Sequence, residues 1–426
     1  MQATPRPNSA LVVALACAVA CATPSPAGKI ETAKPLVDQA ALVGVAPATV
    51  YDTLEHPSPA ATGNAVEAWI DEQVRALARS KHGTSLSRDV RLDRVATDLS
   101  RSPLPQDRPD AEQVSQLIAH YGFPMPTPAF LLFRGSATLD RDSLAPLREQ
   151  LSALLSQGPI RRYGMGFANM GNELLGIIVA SELSLELTPV PRALEIGQTA
   201  SIAGRVLPPF SFPEVLVTTP TGKLEHLILN SKDTHFEARL PCQAMPGIHR
   251  VEIMGTNAGG PTVLANFPIY CGIAPPLAVE PSKRAPSTET RASEVEDRLY
   301  SFLNEERKRL GLFPLKRNAE LARIARTYSQ ELSTYREVAH VSPRTGSVLD
   351  RVRKAGITQR PAILAENVAR VYSASEAHQG FLGSPGHRAN MVHPGLTDVG
   401  IGVIADPATS GPRAFYVTEI FAVFQP

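Results

Sequence analysis

Cysteine is scarce in this 426-residue chain: Cys17, Cys21, Cys242 and Cys271 are the four present. With no CxxC pair and no Cys/His finger spacing, a cysteine-based structural zinc module is excluded. Charge of one sign is missing too. Lys+Arg is 42 and Asp+Glu 41, a formal net charge of +1, so bulk charge gives no reason to expect a nucleic-acid or anionic-membrane surface. A long apolar run is also lacking at the N-terminus. Residues 10–20 (ALVVALACAVA) are apolar over about 11 positions, where a bilayer span needs about 20. Proline, in contrast, is abundant. Its 38 residues are about 9% of the chain against a usual ~5%, which points to linkers and β-rich loops. Hydrophobic residues at 43% and charged residues at 19% allow stable cores and exclude wholesale disorder. The length suits two to four domains.

Arg6 and the free amine form a weak positive region ahead of the apolar run, so residues 1–20 read as a signal peptide. Cys21 follows Ala18, Val19 and Ala20 and precedes a polar stretch beginning at Thr23. This resembles a bacterial lipoprotein signal, in which the cysteine is lipidated and becomes the new N-terminus. Ala18 departs from the leucine usual there. The resemblance implies an exported protein held at a membrane through Cys21: an outer-membrane lipoprotein, or a periplasmic or extracellular bacterial protein. Ordinary cleavage near Ala20 is the alternative. Either way the mature chain lies where disulfides persist.

A flexible tether is expected over 21–62, and then three blocks. Residues 63–181 carry helical periodicity, with Val66, Trp69, Ile70, Val74 and Leu77 on one face and Leu92, Val95, Ala96 and Leu99 on another. The apolar run 129–133 follows a proline cluster, and 163–180 (YGMGFANMGNELLGIIVA) reads as two strands joined by an Asn/Gly turn. Residues 182–274 alternate with period two in LSLELTPV, SIAGRV and HRVEIMG, between turns such as Asn257-Ala-Gly-Gly260. This suggests an immunoglobulin-like β-sandwich. Cys242 and Cys271 both fall in it. In an exported protein their expected fate is a disulfide, contributing roughly 3 kcal/mol by closing a loop of about 29 residues. Residues 275–292 are Pro/Ser/Thr-rich and read as a semi-extended linker.

Residues 293–426 form a last domain without cysteine. Ser293 precedes Val295, Leu299, Phe302, Leu303 and Leu310, a helix with a candidate N-cap and one apolar face. A second amphipathic helix carries Leu321, Ile324, Ala325, Tyr328 and Leu332. Four polar landmarks follow: His340 in HVSP, Glu366 in LAENVA, His387 in SPGHRAN and Glu419 in FYVTEIFA.

The ordered blocks LNEERKRLGL, LKRNAELARIAR, HVSP, AENVA, FLGSPGHRANMV, DVGIGV and YVTEIFA resemble the CAP superfamily, named for cysteine-rich secretory proteins, antigen 5 and pathogenesis-related 1 (the SCP domain), in its bacterial, cysteine-free branch. The resemblance implies an α-β-α sandwich around a large open cavity, lined at His340, Glu366 and His387. Ala365 stands where a glycine is usual, Phe381 where a tryptophan is common, and Glu419 where bacterial relatives often carry Gln. Glu419 completes two histidines and two glutamates, the composition of the family's eukaryotic tetrad. The expected fold class is thus multidomain α+β: a C-terminal CAP sandwich, a central immunoglobulin-like sandwich and an N-terminal α/β block.

Two imidazoles and two carboxylates can do three things. They can hold a divalent cation, zinc by preference; serve acid–base chemistry; or only hydrogen-bond one another. Ser342 and Ser384 sit in Ser-Pro turns, where capping is their expected task. Asn367 neighbours Glu366. Arg388 and Asn390 are expected to anchor His387. His378 and His393 read as surface histidines. Binding is favoured over catalysis, because no motif-borne nucleophile is adjacent. The expected partner is a small apolar or glycan-like ligand or an envelope protein, not nucleic acid. The alternatives are a metal-dependent hydrolase and a purely structural envelope protein.

The N-terminal block echoes the last domain. LSRDVRLDRVA at 86–96 aligns with LKRNAELARIA at 315–325 at an offset of 229, and Tyr163-Gly-Met-Gly166 with Val399-Gly-Ile-Gly402 at 236. This suggests a degenerate CAP-like copy that has lost most of the polar cluster. Its test is shared strand order.

Overall fold

The computed structural model describes residues 11–14 and 46–424, apart from 60–64, 83–85, 103, 105–107, 127, 137–144, 156–159, 172, 244, 282–287, 358 and 408–412. Cys21 lies outside the described residues, as does most of the stretch expected to be a tether. The strand β1 (Leu11–Ala14) falls within the run read as a signal. The chain is folded from residue 46 onward, earlier than the expected 62. There β2 (Val50–Tyr51) buries Tyr51 completely, its ring 4.6 Å from that of Phe267.

The N-terminal block runs α1 (Ala65–His82), β3 (Ser87–Arg88), α2 (Val90–Arg101), α3 (Ala111–His120), β4 (Ala129–Ser136), α4 (Ala145–Leu154), β5 (Ile160–Met170) and β6 (Glu173–Glu182). Asp89 and Asp110 cap α2 and α3, accepting backbone N–H bonds at Arg91 and at Glu112 and Gln113. The sheet order is β3-β5-β6-β4. Ile178 and Ala180 of β6 pack with Ile70 of α1 and Leu151 of α4, while Ile177 and Val179 face Leu92, Ala96 and Val114 of α2 and α3. The period of two along a strand thus feeds two helical layers.

The central block contains β7 (Leu185–Leu187), β8 (Val190–Pro191), β9 (Ala193–Leu194), β10 (Thr199–Val206), β11 (Ser211–Thr218), β12 (Leu224–His226), β13 (Asn230–Lys232), β14 (His235–Pro241), β15 (Gly247–Asn257) and β16 (Gly260–Cys271). One sheet is β13-β14-β10-β7 and the other β12-β11-β15-β16-β9, while β8 pairs with β2. Cys242, just after β14, is bonded to Cys271 at the end of β16, with Cα atoms 5.5 Å apart. The bridge joins the two sheets. The block is not an independent unit at residue 182: Val190, Ile202 and Phe267 share one continuous core with Leu92, Val95 and Leu117.

The last block runs α5 (Ala292–Arg309), β17 (Lys316–Arg317), α6 (Ala319–Tyr335), α7 (Val348–Lys354), β18 (Pro361–Val371), α8 (Ala374–Gly383), α9 (Pro385–Val392), β19 (Asp398–Ala405) and β20 (Phe415–Phe424). Ser293 lies inside the first turn of α5, whose N-cap is Arg291. Part of the expected linker is docked: Val279 and Glu289 are buried, and Glu289 accepts from the backbone of Ala374. The sheet order is β1-β18-β20-β19-β17, with β1 parallel along the β18 edge from Ile363 to Glu366. Removal of residues 1–20, as the signal reading expects, takes this edge strand away. Val417 and Phe421 of β20 face Val295 and Leu299 of α5 and Phe381 of α8, whereas Ile420 and Ala422 face Leu321 and Ile324 of α6. Four strands in the order β17-β19-β20-β18 therefore lie between two helical layers, as β3-β5-β6-β4 do in the N-terminal block. The first strand is parallel to the second in each case, and the remaining pairs are antiparallel.

Candidate functional site

His340 sits in the loop after α6. The Oγ of Ser342 accepts the backbone N–H groups of Arg344 and Thr345 at 2.9 and 3.2 Å and donates to Glu331. The turn role expected of Ser342 is observed. His387 lies in the first turn of α9, whose N-cap is Ser384 and whose first residue, Pro385, has φ pre-set for a helix. The two imidazoles come together, with ring centroids 6.5 Å apart, and Phe381 packs 5.0 Å from His387. His340, Glu366, His387 and Glu419 are all at most 1% exposed. The cluster is closed, not lined up along an open cavity.

The two carboxylates do not meet at the histidines. In the β18–β20 ladder Glu366 pairs with Ile420, and Asn367 pairs with Glu419. Directly opposed residues share a face and neighbours alternate, so Glu366 and Glu419 lie on opposite sides of the sheet. Glu366 accepts from His340 Nδ1 at 2.9 Å and from Arg351 through its other oxygen. The Arg351 guanidinium lies 3.3 Å from the Tyr328 ring centroid. Glu419 accepts from Asn367 Nδ2 at 3.1 Å.

A zinc site needs three or four converging donors. Both oxygens of Glu366 are already engaged, and Glu419 is across the sheet. Among the described residues no group of three His, Cys, Asp or Glu side chains can hold a metal ion. The expectation that His340, Glu366, His387 and Glu419 act together as metal ligands is corrected on this geometry: two imidazoles converge, not four ligands.

Other expectations change as well. Asn390 donates to the Glu366 carbonyl at 3.2 Å and to Asn367 Oδ1 at 3.0 Å, so it ties α9 to β18 and does not hold the His387 ring. Arg388 turns away from His387 to the carbonyl of Gly222 in the central block. Asn367 donates at 3.4 Å to the His387 carbonyl. His378 is buried against Phe302, their centroids 5.3 Å apart, so it is not a surface histidine. His393 is half-buried.

Burial sets the electrostatics. His387 is held well below its ordinary value by desolvation, with a smaller contribution from His340, so its imidazole is neutral near pH 7. With His340 Nδ1 bonded to Glu366, three ring nitrogens, His340 Nε2 and both of His387, meet no protein partner. Burial pushes Glu419 up to about 7, partly countered by Asn367.

These shifts have opposite consequences for stability. Because Glu419 rises from 4.5 to about 7 on folding, its contribution is complete below pH 4.5 and is lost as pH climbs through about 7. The depressed value of His387 gives stability that is complete above 6.5 and is lost as pH falls through that lower value. Glu419→Gln keeps an acceptor for Asn367 and removes the first effect. At pH 8 the variant should be more stable than wild type by about 2–3 kcal/mol, with little difference at pH 4.5. Denaturant midpoints at the two pH values measure this. Equal midpoints at pH 8 would count against an ionised, buried Glu419.

Arg351 and Glu252 also belong to this region, and sequence reasoning missed both. Glu252, in β15 and fully buried, accepts from Ser384 Oγ at 2.6 Å and from the Gly386 backbone N–H at 3.0 Å. Burial pushes it up to about 7. The only local signal is a carboxylate in an alternating strand, which ordinarily reads as solvent-facing.

Comparison with known proteins agrees with this geometry. Residues 300–421 match the CAP family, described as the Cysteine-rich secretory protein family. The protein YkwD of Bacillus subtilis (strain 168) is 30% identical over 130 residues, which are 30% of this chain and 50% of YkwD. The membrane protein YlbC of the same organism is 29% identical over 109 residues, 25% of this chain and 31% of YlbC. The chain thus spans half or less of the curated relatives it matches. Among solved structures, an extracellular protein containing a SCP domain from Bacillus anthracis is similar at 18% identity, over 57% of this chain and 83% of that one, with a TM-score of 0.28. An outer surface protein from Borrelia burgdorferi is similar at 20% identity over 32% of this chain and 97% of that one, with a TM-score of 0.29. The C-terminal third of this chain is a CAP domain.

Proposed function

We propose that this chain is an exported bacterial envelope protein, acylated at Cys21, whose CAP head binds a ligand and performs no covalent chemistry. One observation carries this reading: the buried imidazole pair, in which His387 has two unpartnered ring nitrogens and His340 has one. Neutral imidazoles beside Phe381 can hydrogen-bond an uncharged polar group within an apolar setting. The carboxylates that a hydrolase would use as base or metal ligand are engaged by Arg351, His340 and Asn367. The ligand class is small and apolar or glycan-like, or a side chain of a surface partner.

The central block is the spacer. Two packed antiparallel sheets joined by a disulfide support the immunoglobulin-like reading. The N-terminal block is read as a degenerate CAP-like copy. Support comes from its strand order and from its glycines: a Cβ on Gly164 would meet Leu92 carbonyl carbon at 2.2 Å, and one on Gly400 would meet that of Leu321, also at 2.2 Å. These are the pairs the sequence alignment matched. The copy lacks counterparts of Glu366 and His387, which leaves it a packing or partner-binding role.

The test is native mass spectrometry of the exported full chain after incubation with bacterial total lipid extract or with muropeptides. Wild type should retain one class of compound and His387→Ala should not. Retention of neither by wild type would sink the reading. Intact mass at the N-terminus separately decides acylation of Cys21.

A further inference from the structure

The outer face of the β12-β11-β15-β16-β9 sheet is covered by the CAP domain. Helix α9 packs against β11 and β15. Leu216 and Met254 on that face are 0% and 3% exposed, although they lie outside the sandwich core. Both histidine-bearing segments touch this sheet or its hairpin. The backbone N–H groups of His340 and Val341 donate to the Gly259 carbonyl at 3.1 and 3.0 Å. Gly260, at φ +97°, lies so close that a Cβ there would be 3.3 Å from the His340 Cβ. At the other segment, Glu252 binds Ser384 and Gly386 at the start of α9.

We infer that the β-sandwich is a cis-acting lid on the histidine compartment, seated by the 259–260 hairpin tip on the His340 loop and by the Glu252 carboxylate on the N-terminus of α9. A carboxylate buried this deeply is costly to desolvate. The hydroxyl, the N–H and the positive end of α9 offset that cost only while the lid is seated. Lifting the sheet returns Glu252 to water and opens the wall over His387, so closure and release are close in free energy. The remaining contacts are also few and polar, as in interdomain contacts that separate. They include Asn266 Nδ2 to the Gly383 carbonyl at 3.1 Å and Arg388 to the Gly222 carbonyl. No covalent link crosses the junction beyond the chain itself. The inference concerns access alone and stands whether or not the ligand class proposed above is right.

Diethyl pyrocarbonate footprinting of the full chain, read by peptide mass spectrometry, tests it. In wild type, His340 and His387 should react at least 50-fold more slowly than the exposed His226 and His235. Glu252→Lys, which places an ammonium against the start of α9, should speed labelling of His387 by 10-fold or more. Leu216→Arg, which acts through the apolar part of the same face, should do likewise and serves where Glu252→Lys fails to fold. Hydrogen exchange across β20 should stay at wild-type rates in the variant that is scored, which separates lid opening from unfolding of the head. Wild-type labelling of His387 at the rate of His226 would overturn the inference. So would unchanged protection of His387 in a folded variant.

Discussion

Replacing Glu366 with alanine should destabilise the CAP domain by about 3–5 kcal/mol, the loss seen when one partner of a buried ion pair is removed. Arg351 and His340 are 6% and 1% exposed, and each directs a polar group at this carboxylate. Its removal strands a guanidinium between the Tyr328 ring and the sheet with no counter-charge. Glu366→Gln keeps an acceptor and should lose less. Replacing the pair together, Glu366→Leu with Arg351→Met, should recover much of the loss, because no lone charge is left behind. The readout is local: hydrogen exchange of the β18 amides under increasing urea reports this domain without relying on two-state behaviour of the whole chain. A loss below about 1 kcal/mol for Glu366→Ala would mean that the ion pair is not closed in solution.

The second large effect is steric. A Cβ on Gly402 would lie 2.0 Å from the Arg326 backbone nitrogen and 2.3 Å from the Ala325 carbonyl carbon. Helix α6 crosses the sheet at backbone contact there, and backbone cannot move aside as a flexible side chain can. Gly402→Val should cost more than about 3 kcal/mol, beyond ordinary overpacking, and should sharply lower soluble yield. Gly166→Val should do the same in the N-terminal block, where the Thr97 backbone nitrogen is 2.1 Å away. Gly380→Ala is the control. It lies in α8 with nothing within 4 Å of the added carbon, so the change should be neutral or stabilising by up to about 1 kcal/mol. Equal melting temperatures for Gly402→Val and Gly380→Ala would contradict the close approach of α6.

Much of the fold is legible along the chain because its signals are local. The 3.6-residue periodicity of 319–335 and the alternation of 247–257 need only a window of neighbours. So do the caps Asn318 and Ser384, which satisfy their own helix N-termini. The paired cysteines follow from count and compartment. The repeated Gly-x-Gly is visible as text, although its meaning, a helix lying directly on a strand, takes a third dimension.

The candidate site is legible only in part. His340 and His387 could be nominated from their motifs, and they do meet. Glu419 could be nominated too, but the strand register puts it opposite Asn367 and so across the sheet from Glu366. A one-residue difference in register decides which face a side chain takes, and no local pattern fixes it.

Sequence alone determined which segments would be helix or strand, where the disulfide would fall and which two imidazoles would matter, because each rests on interactions within a few residues or on counting. Tertiary structure decided which charges are paired and what covers the histidines. Glu252 is 132 residues from the serine it binds, and Arg351 reaches Glu366 from a different element. Burial turns both contacts from weak surface attractions into strong constraints, and burial is a property of the packed whole, not of any stretch of chain.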